Sequence, residues 1–227
     1  MSEEQPEPVP VGDNLSIVGR GYTTIPVTFG RQYGAKIKNL DLSHNKLENL
    51  DNINMFANLK SLILDNNELT ENVEFPDFYQ LDTLCINNNK IADLRIVLDR
   101  IKRAAPNLRY LSLLKNPACP NRLIGMEDDD YSRYRLYVIW RIPNLKFLDA
   151  TPVTPKEKDE ALRRGEFCLP AATTEIVATA ARIEGQMGAT DELTQSVPQS
   201  STHFGVCQYY YQGKQSEGNR FIRNQNL

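Results

Sequence analysis

Apolar residues recur through the middle of the chain at fixed offsets. The segments IKNLDLSHNKL (37–47), LKSLILDNNEL (59–69), LDTLCINNNKI (81–91) and LRYLSLLKNPA (108–118) align on the pattern LxxLxLxxNxL, with Ala118 where the last leucine is due. The alternation within LxL is the period of a short strand with one buried face. Aligned on Asn45, Asn67, Asn89 and Asn116, the units repeat at intervals of 22, 22 and 27 residues. That period and pattern belong to leucine-rich repeats, in which each unit adds one strand to a stacked parallel sheet. The pattern predicts an α/β fold. It is a short solenoid with a parallel concave sheet, a mixed helical and irregular convex side, and a cap at each end.

An asparagine among leucines needs a reason, because a buried amide without partners costs free energy. Where each strand turns inward, backbone N–H and C=O groups lack ladder partners. A side-chain amide supplies donors and an acceptor for them. Asn45, Asn67, Asn89 and Asn116 are therefore expected to form a structural ladder between adjacent repeats.

The segments between strands differ. In ADLRIVLDRIKRAAPN, Leu94, Val97, Leu98 and Ile101 fall on one helix face, with Asp93 as N-cap and Pro106 beyond the end. This helix accounts for the longer third interval. TENVEFPDFYQ is irregular, with Phe75 and Phe78 available to fill the convex side. Residues 128–142 read as a helix ended by Pro143, with Tyr134, Tyr137 and Val138 on one face. The run Asp128–Asp130 suits the positive end of the helix dipole. LKFLDATPVT (145–154) reads as a final strand, with Leu145, Leu148 and Val153 in repeat register. A further helix follows, with Thr154 as N-cap, Pro155 in the first turn, Glu157 completing a capping box and Gly165 as the stop.

These readings divide the chain into a flexible lead (1–14), an N-terminal cap (15–34), the repeats (35–122), a C-terminal cap (123–170) and a tail (171–227). Within the N-terminal cap, LSIVGRGYTTI has the look of a degenerate repeat. The tail is small and polar over most of its length, a composition that cannot bury enough surface to order itself. Its end regains large apolar residues. Phe221, Ile222 and Leu227, with Arg220 and Arg223, have the form of a linear motif for a partner groove. Tyr209, Tyr210 and Tyr211 stand just before it.

In a repeat horseshoe the strand positions between the core leucines face the concave side. The column inside LxL is Asp41, Ile63, Cys85, Ser112 and Asp149. The column before it is Asn39, Ser61, Thr83, Tyr110 and Phe147, and the column after it is Ser43, Asp65, Asn87 and Leu114. Ile63, Cys85, Tyr110, Leu114 and Phe147 form an apolar strip bordered by Asp41, Asp65 and Lys115. A strip of this kind is either a partner site or is covered by the chain's own cap or tail.

Charge and chemistry exclude other classes. The 227 residues carry a net charge of −3, which disfavours a nucleic-acid binder that works by charge. No apolar run approaches the ~18–20 residues that span a bilayer, and the acidic, proline-rich start is unlike a signal peptide. Cys85, Cys119, Cys168 and Cys207 form no CxxC pair and read as reduced thiols. The only histidines, His44 and His203, have no neighbouring pattern for a triad or a metal site, and no phosphate-binding glycine loop is present. The expectation is a monomer without enzymatic activity, cofactor or metal.

The block YRLYVIWRIPNLKFLDATPVTPKEKDEALRRGEF (134–167) resembles the C-terminal cap of a cytosolic leucine-rich repeat group that includes the U2 small nuclear ribonucleoprotein A-prime protein. The shared features are the tyrosine-rich helix, the proline-x-leucine turn, Leu148–Asp149 and Val153–Glu157. NPACP (116–120), DYSRYRLYV (130–138), PNLKFLDA (143–150), EALRRGEF (160–167) and the tail SEGNRFIRNQNL resemble its melanocyte-differentiation-associated branch. That resemblance implies a cytoplasmic adaptor whose repeats bind a Rab-class small GTPase. It also implies a tail that engages an endosomal retrieval complex in the formation of lysosome-related organelles such as melanosomes. The broader group implies an alternative, a structural subunit of a ribonucleoprotein or other multiprotein complex.

Overall fold

In a computed structural model, residues 8–120 and 128–169 are described. Strands β1 (Asn14–Ser16), β2 (Asn39–Asp41), β3 (Ser61–Ile63), β4 (Thr83–Cys85), β5 (Tyr110–Ser112) and β6 (Phe147–Leu148) lie side by side in chain order, all parallel. The register stacks Leu15, Leu40, Leu62, Leu84, Leu111 and Leu148 in one inward column. Each is buried, as are Leu42, Leu64, Ile86 and Leu113 one step on. Stacking closes a core that no single repeat could close alone.

Helices fill the other side and the ends. Helix α2 (Leu94–Ala104) buries Leu94, Val97, Leu98, Ile101 and Ala104, and the Asp93 side chain accepts from the amides of Arg95 and Ile96. Helix α3 (Asp128–Arg141) buries Tyr134, Tyr137 and Val138 against the last repeat. Helix α4 (Pro155–Arg164) opens with a complete Thr154–Glu157 capping box, and it packs against α3. Phe78 is buried and Phe75 partly so beneath the irregular segment after β3.

Four features depart from the sequence reading. Residues 8–13, read as part of a flexible lead, make defined contacts. Val11 and Asn14 exchange backbone hydrogen bonds of 2.9 and 3.1 Å. The Asp13 carboxylate pairs with Lys38 at 3.1 Å. The segment 15–34 is also more than a cap, because β1 pairs with β2 in full repeat register and helix α1 (Val27–Tyr33) follows it. The degenerate pattern has a physical basis. Gly19 (φ 69°) occupies the left-handed turn position that His44, Asn66, Asn88 and Lys115 hold in later repeats.

At the other end, the final strand is a hairpin: β7 (Thr151–Pro152) turns back antiparallel to β6. Gly165 does stop α4, but in an ordinary helical conformation (φ −56°). It is small because a Cβ there would lie 2.5 Å from the Trp140 Cβ and 2.9 Å from the Leu136 carbonyl oxygen. Residues 121–127 of the C-terminal cap, Pro170 and the tail 171–227, with Arg220, Phe221, Ile222, Arg223 and Leu227, lie outside the described residues.

Candidate functional site

The asparagine ladder builds the surface on which a partner would rest. Asn67 Nδ2 donates to the carbonyls of Leu42, Leu64 and Asp65 at 3.1, 3.0 and 3.3 Å, and its Oδ1 accepts from the Leu47 amide at 3.0 Å. Asn45 reaches Ile17 and Leu42 in the same way and accepts from the amides of Arg20 and Tyr22. Asn89 donates to Leu64 and accepts from Leu69. Asn116 donates to Ile86 and Leu113 and accepts from Ile91. All four are buried. Each therefore satisfies the turn of its own repeat and that of the one before, where unpaired backbone would be costly.

The concave face follows from the same register. Asn39, Ser61, Thr83, Tyr110 and Phe147 form one column, and Asp41, Ile63, Cys85 and Ser112 the next. Ile63, Cys85, Tyr110 and Leu114 are half-buried and Phe147 is 45% exposed. Tyr110 and Phe147 sit with ring centroids 6.1 Å apart, within the range of a stabilising aromatic pair. Toward β1 the face deepens into a cleft of about 310 Å³. Asp41, Ser61 and Ile63 line it together with Val9 and Val11 from the lead segment. Both valines are 77% exposed. Pattern reading missed them, because prolines and valines in an acidic lead carry no repeat signature.

Three predicted concave positions, Ser43, Ser112 and Asp149, are buried and closed to partners. Ser112 is buried and its hydroxyl donates to Asn87 Oδ1 at 2.6 Å. Asp149 is 1% exposed. Its Oδ1 accepts from the Leu113 amide at 2.9 Å, its Oδ2 accepts from the Tyr131 hydroxyl at 2.9 Å, and the Tyr134 hydroxyl reaches Oδ1 at 3.5 Å. Burial raises its pKa above the usual carboxylate value despite these donors. The letter D at this position matches Asp41, so nothing local distinguishes the two; helix α3 does.

The electrostatics of the open face are one-sided. Among the described residues, the strand columns hold no lysine or arginine, and Asp41 and Asp65 supply their accessible charge. Asp65 is fixed by the Asn87 amide at 2.8 Å and Asn87 Nδ2 at 3.1 Å, and Asp41 by the Ser43 amide at 2.9 Å. Burial, then Asp65 and Asp41, push the Cys85 thiol up to about 12. A neutral thiol is a poor nucleophile and a poor metal ligand. No group of three or more histidine, cysteine, aspartate or glutamate side chains suited to a metal ion occurs among the described residues. No helix there is long and apolar enough to cross a membrane. The face offers shape, apolar contact and negative charge.

A second polar network locks the cap. Arg135 is 7% exposed. Its guanidinium donates to Glu157 at 2.7 Å, to the Leu148 carbonyl at 3.0 Å, to the Thr151 hydroxyl at 2.7 Å and to the Pro152 carbonyl at 3.3 Å. It ties α3 to the β6–β7 hairpin and to the first turn of α4, and so holds Phe147 in place. Sequence reading did not single out Arg135; an arginine between apolar neighbours in a buried helix was the available signal.

Comparison with known proteins agrees with this architecture. Residues 19–167 match a family described as leucine-rich repeat. The human leucine-rich melanocyte differentiation-associated protein is 45% identical over 143 residues, which cover 61% of this chain and 71% of that one. The crystal structure of the Drosophila melanogaster SNF/U2A′ complex contains a chain with a TM-score of 0.54 and 23% identity, covering 73% of this chain and 87% of its own. It shares the fold. A Leptospira interrogans leucine-rich repeat protein is 26% identical with a TM-score of 0.38, over 60% of this chain and 31% of that one. With the repeat register, the ladder and the family match in agreement, the chain belongs to the leucine-rich repeat family.

Proposed function

We propose that the chain is a non-enzymatic cytoplasmic adaptor in the formation of lysosome-related organelles of the melanosome type. Its repeat domain binds a Rab-class small GTPase on the concave face, and its tail recruits an endosomal retrieval complex. The observation that supports binding there is the half-exposed strip of Ile63, Cys85, Tyr110, Leu114 and Phe147, bordered by Asp41, Asp65 and Lys115. Exposed apolar surface with a charged rim marks a partner site in a soluble chain. The Rab and retrieval assignments rest on what the resemblance to the melanocyte-differentiation-associated branch implies; the 45% identical human relative supports the likeness to that branch.

The test is co-purification from cytosol, comparing the full chain with one ending at Pro170, with partners identified by mass spectrometry. The expected outcome is that Rab proteins stay with both forms and retrieval subunits leave with the tail. Phe147→Ala should lose the Rab protein while keeping the retrieval subunits, and Phe221→Ala the reverse. Recovery of spliceosomal proteins instead would replace the adaptor reading with a U2 A-prime-like structural role.

A further inference from the structure

Tyr131 brings together an acidic run, a helix end and a buried carboxylate. It is preceded by Asp128, Asp129 and Asp130, in the only such run before a tyrosine in this sequence. It lies in the first turn of α3 and is half-buried. Its hydroxyl donates to the buried Asp149 at 2.9 Å, and its ring stacks on Tyr134 at 5.5 Å. Tyr134 and Tyr137, on the same helix, are at most 4% exposed.

We propose that Tyr131 is a phosphorylation site for an acid-directed protein tyrosine kinase and that its modification releases the C-terminal cap. In the transfer, the tyrosine Oη–phosphorus bond forms as the bond to the leaving nucleoside diphosphate breaks, and the phenol proton passes to the kinase base. Acidic residues before the tyrosine suit a basic substrate groove by charge complementarity. Helix ends open most readily, so the first turn of α3 is the part that can enter such a groove.

The consequence follows from Asp149. The neutral hydroxyl donor becomes a group of charge about −1.5 to −2 beside a buried carboxylate, which repels it and removes a hydrogen bond. Asp149 Oδ1 also accepts from the Leu113 amide, and the Asp149 amide donates to the Leu111 carbonyl at 2.8 Å. Displacing Asp149 therefore unpins β6 from β5. Phe147 leaves its place beside Tyr110, and the aromatic end of the concave face is lost. That last step rests on the concave-face reading above; modification and cap opening do not.

The experiment treats the full chain with an acid-directed tyrosine kinase and magnesium ATP, maps the phosphate by mass spectrometry, and follows backbone hydrogen exchange. A synthetic peptide spanning 124–136 is the positive control for the kinase. We expect phosphate on Tyr131 and exchange about tenfold faster at the amides of Leu113, Phe147 and Asp149, with β2–β4 unchanged. The Tyr131→Phe variant, treated identically, should show no acceleration. Three results overturn the proposal: phosphate on Tyr131 in the peptide but not in the full chain, phosphate on Tyr131 with unchanged cap exchange, or acceleration that persists in Tyr131→Phe.

Discussion

Replacing Asn67 by leucine tests the ladder directly. The two side chains have similar size, so the change deletes hydrogen bonds with little change in packing. The Leu47 amide loses its Asn67 Oδ1 partner at 3.0 Å, and an orphaned buried N–H costs about 1–3 kcal/mol. The Leu42 and Leu64 carbonyls each keep a second asparagine, Asn45 at 2.9 Å and Asn89 at 3.0 Å. Their losses are therefore smaller, about 0.5–1 kcal/mol each. Leucine recovers roughly 1 kcal/mol through its apolar surface. The balance is a destabilisation of about 3 kcal/mol, or a Tm lower by about 6–12 °C for a domain of this size. Urea unfolding should show a lower midpoint with an unchanged slope.

The neighbouring residue provides the contrast. Asn66 sits at φ 57°, and its side chain bonds with His44 Nε2 at 3.3 Å and Asn88 Nδ2 at 2.7 Å, both exposed; its amide, which donates to the Asn87 carbonyl at 2.9 Å, is untouched by a side-chain change. Asn66→Gly keeps the left-handed turn at no steric cost and should stay within about 0.5 kcal/mol of the parent. Equal stability of the two variants would refute the ladder argument.

Three further outcomes follow from the geometry. Gly165→Ala should destabilise by about 1–3 kcal/mol in a thermal melt through collision with Trp140; helix propensity alone would favour alanine, so the sign decides. Asp149 binds its proton more tightly folded than unfolded. Its contribution to stability therefore falls as pH rises from about 4 through its raised folded value. Urea melts of Asp149→Asn across that range should lack this decline, and identical curves would refute the burial account. Alkylation of Cys85 in the native chain should be roughly ten- to a hundredfold slower than that of an ordinary thiol, because the raised pKa cuts the thiolate fraction more than it raises thiolate nucleophilicity, read from its peptide by mass spectrometry with a denatured control.

Much of this was legible in the sequence wherever the cause lies within a few residues. The Asp93 cap, the Thr154–Glu157 box and the α2 face depend on neighbours two to four positions apart, and the strand register depends on a repeat the eye can align. What was not legible depends on approach between distant segments. Asp41 and Asp149 have the same local pattern, yet Tyr131 and Tyr134 close over only the second. Gly165 reads as a helix stop, while its need is set by Trp140 on another helix. The first repeat reads only as a degenerate unit because Arg20 stands where later units carry asparagine. The amides of Arg20 and Tyr22 are served by Asn45 from the next repeat.

That last arrangement has a direction. Each turn is completed by the asparagine that follows it: the Leu47 amide by Asn67 and the Leu69 amide by Asn89, each 20 residues later. A ribosome delivers the chain from its N-terminus. Every repeat must therefore wait, with its turn unsatisfied, for the next one to emerge. Folding during synthesis should trail translation by one unit, and a stalled chain should always carry one unfinished turn at its growing end.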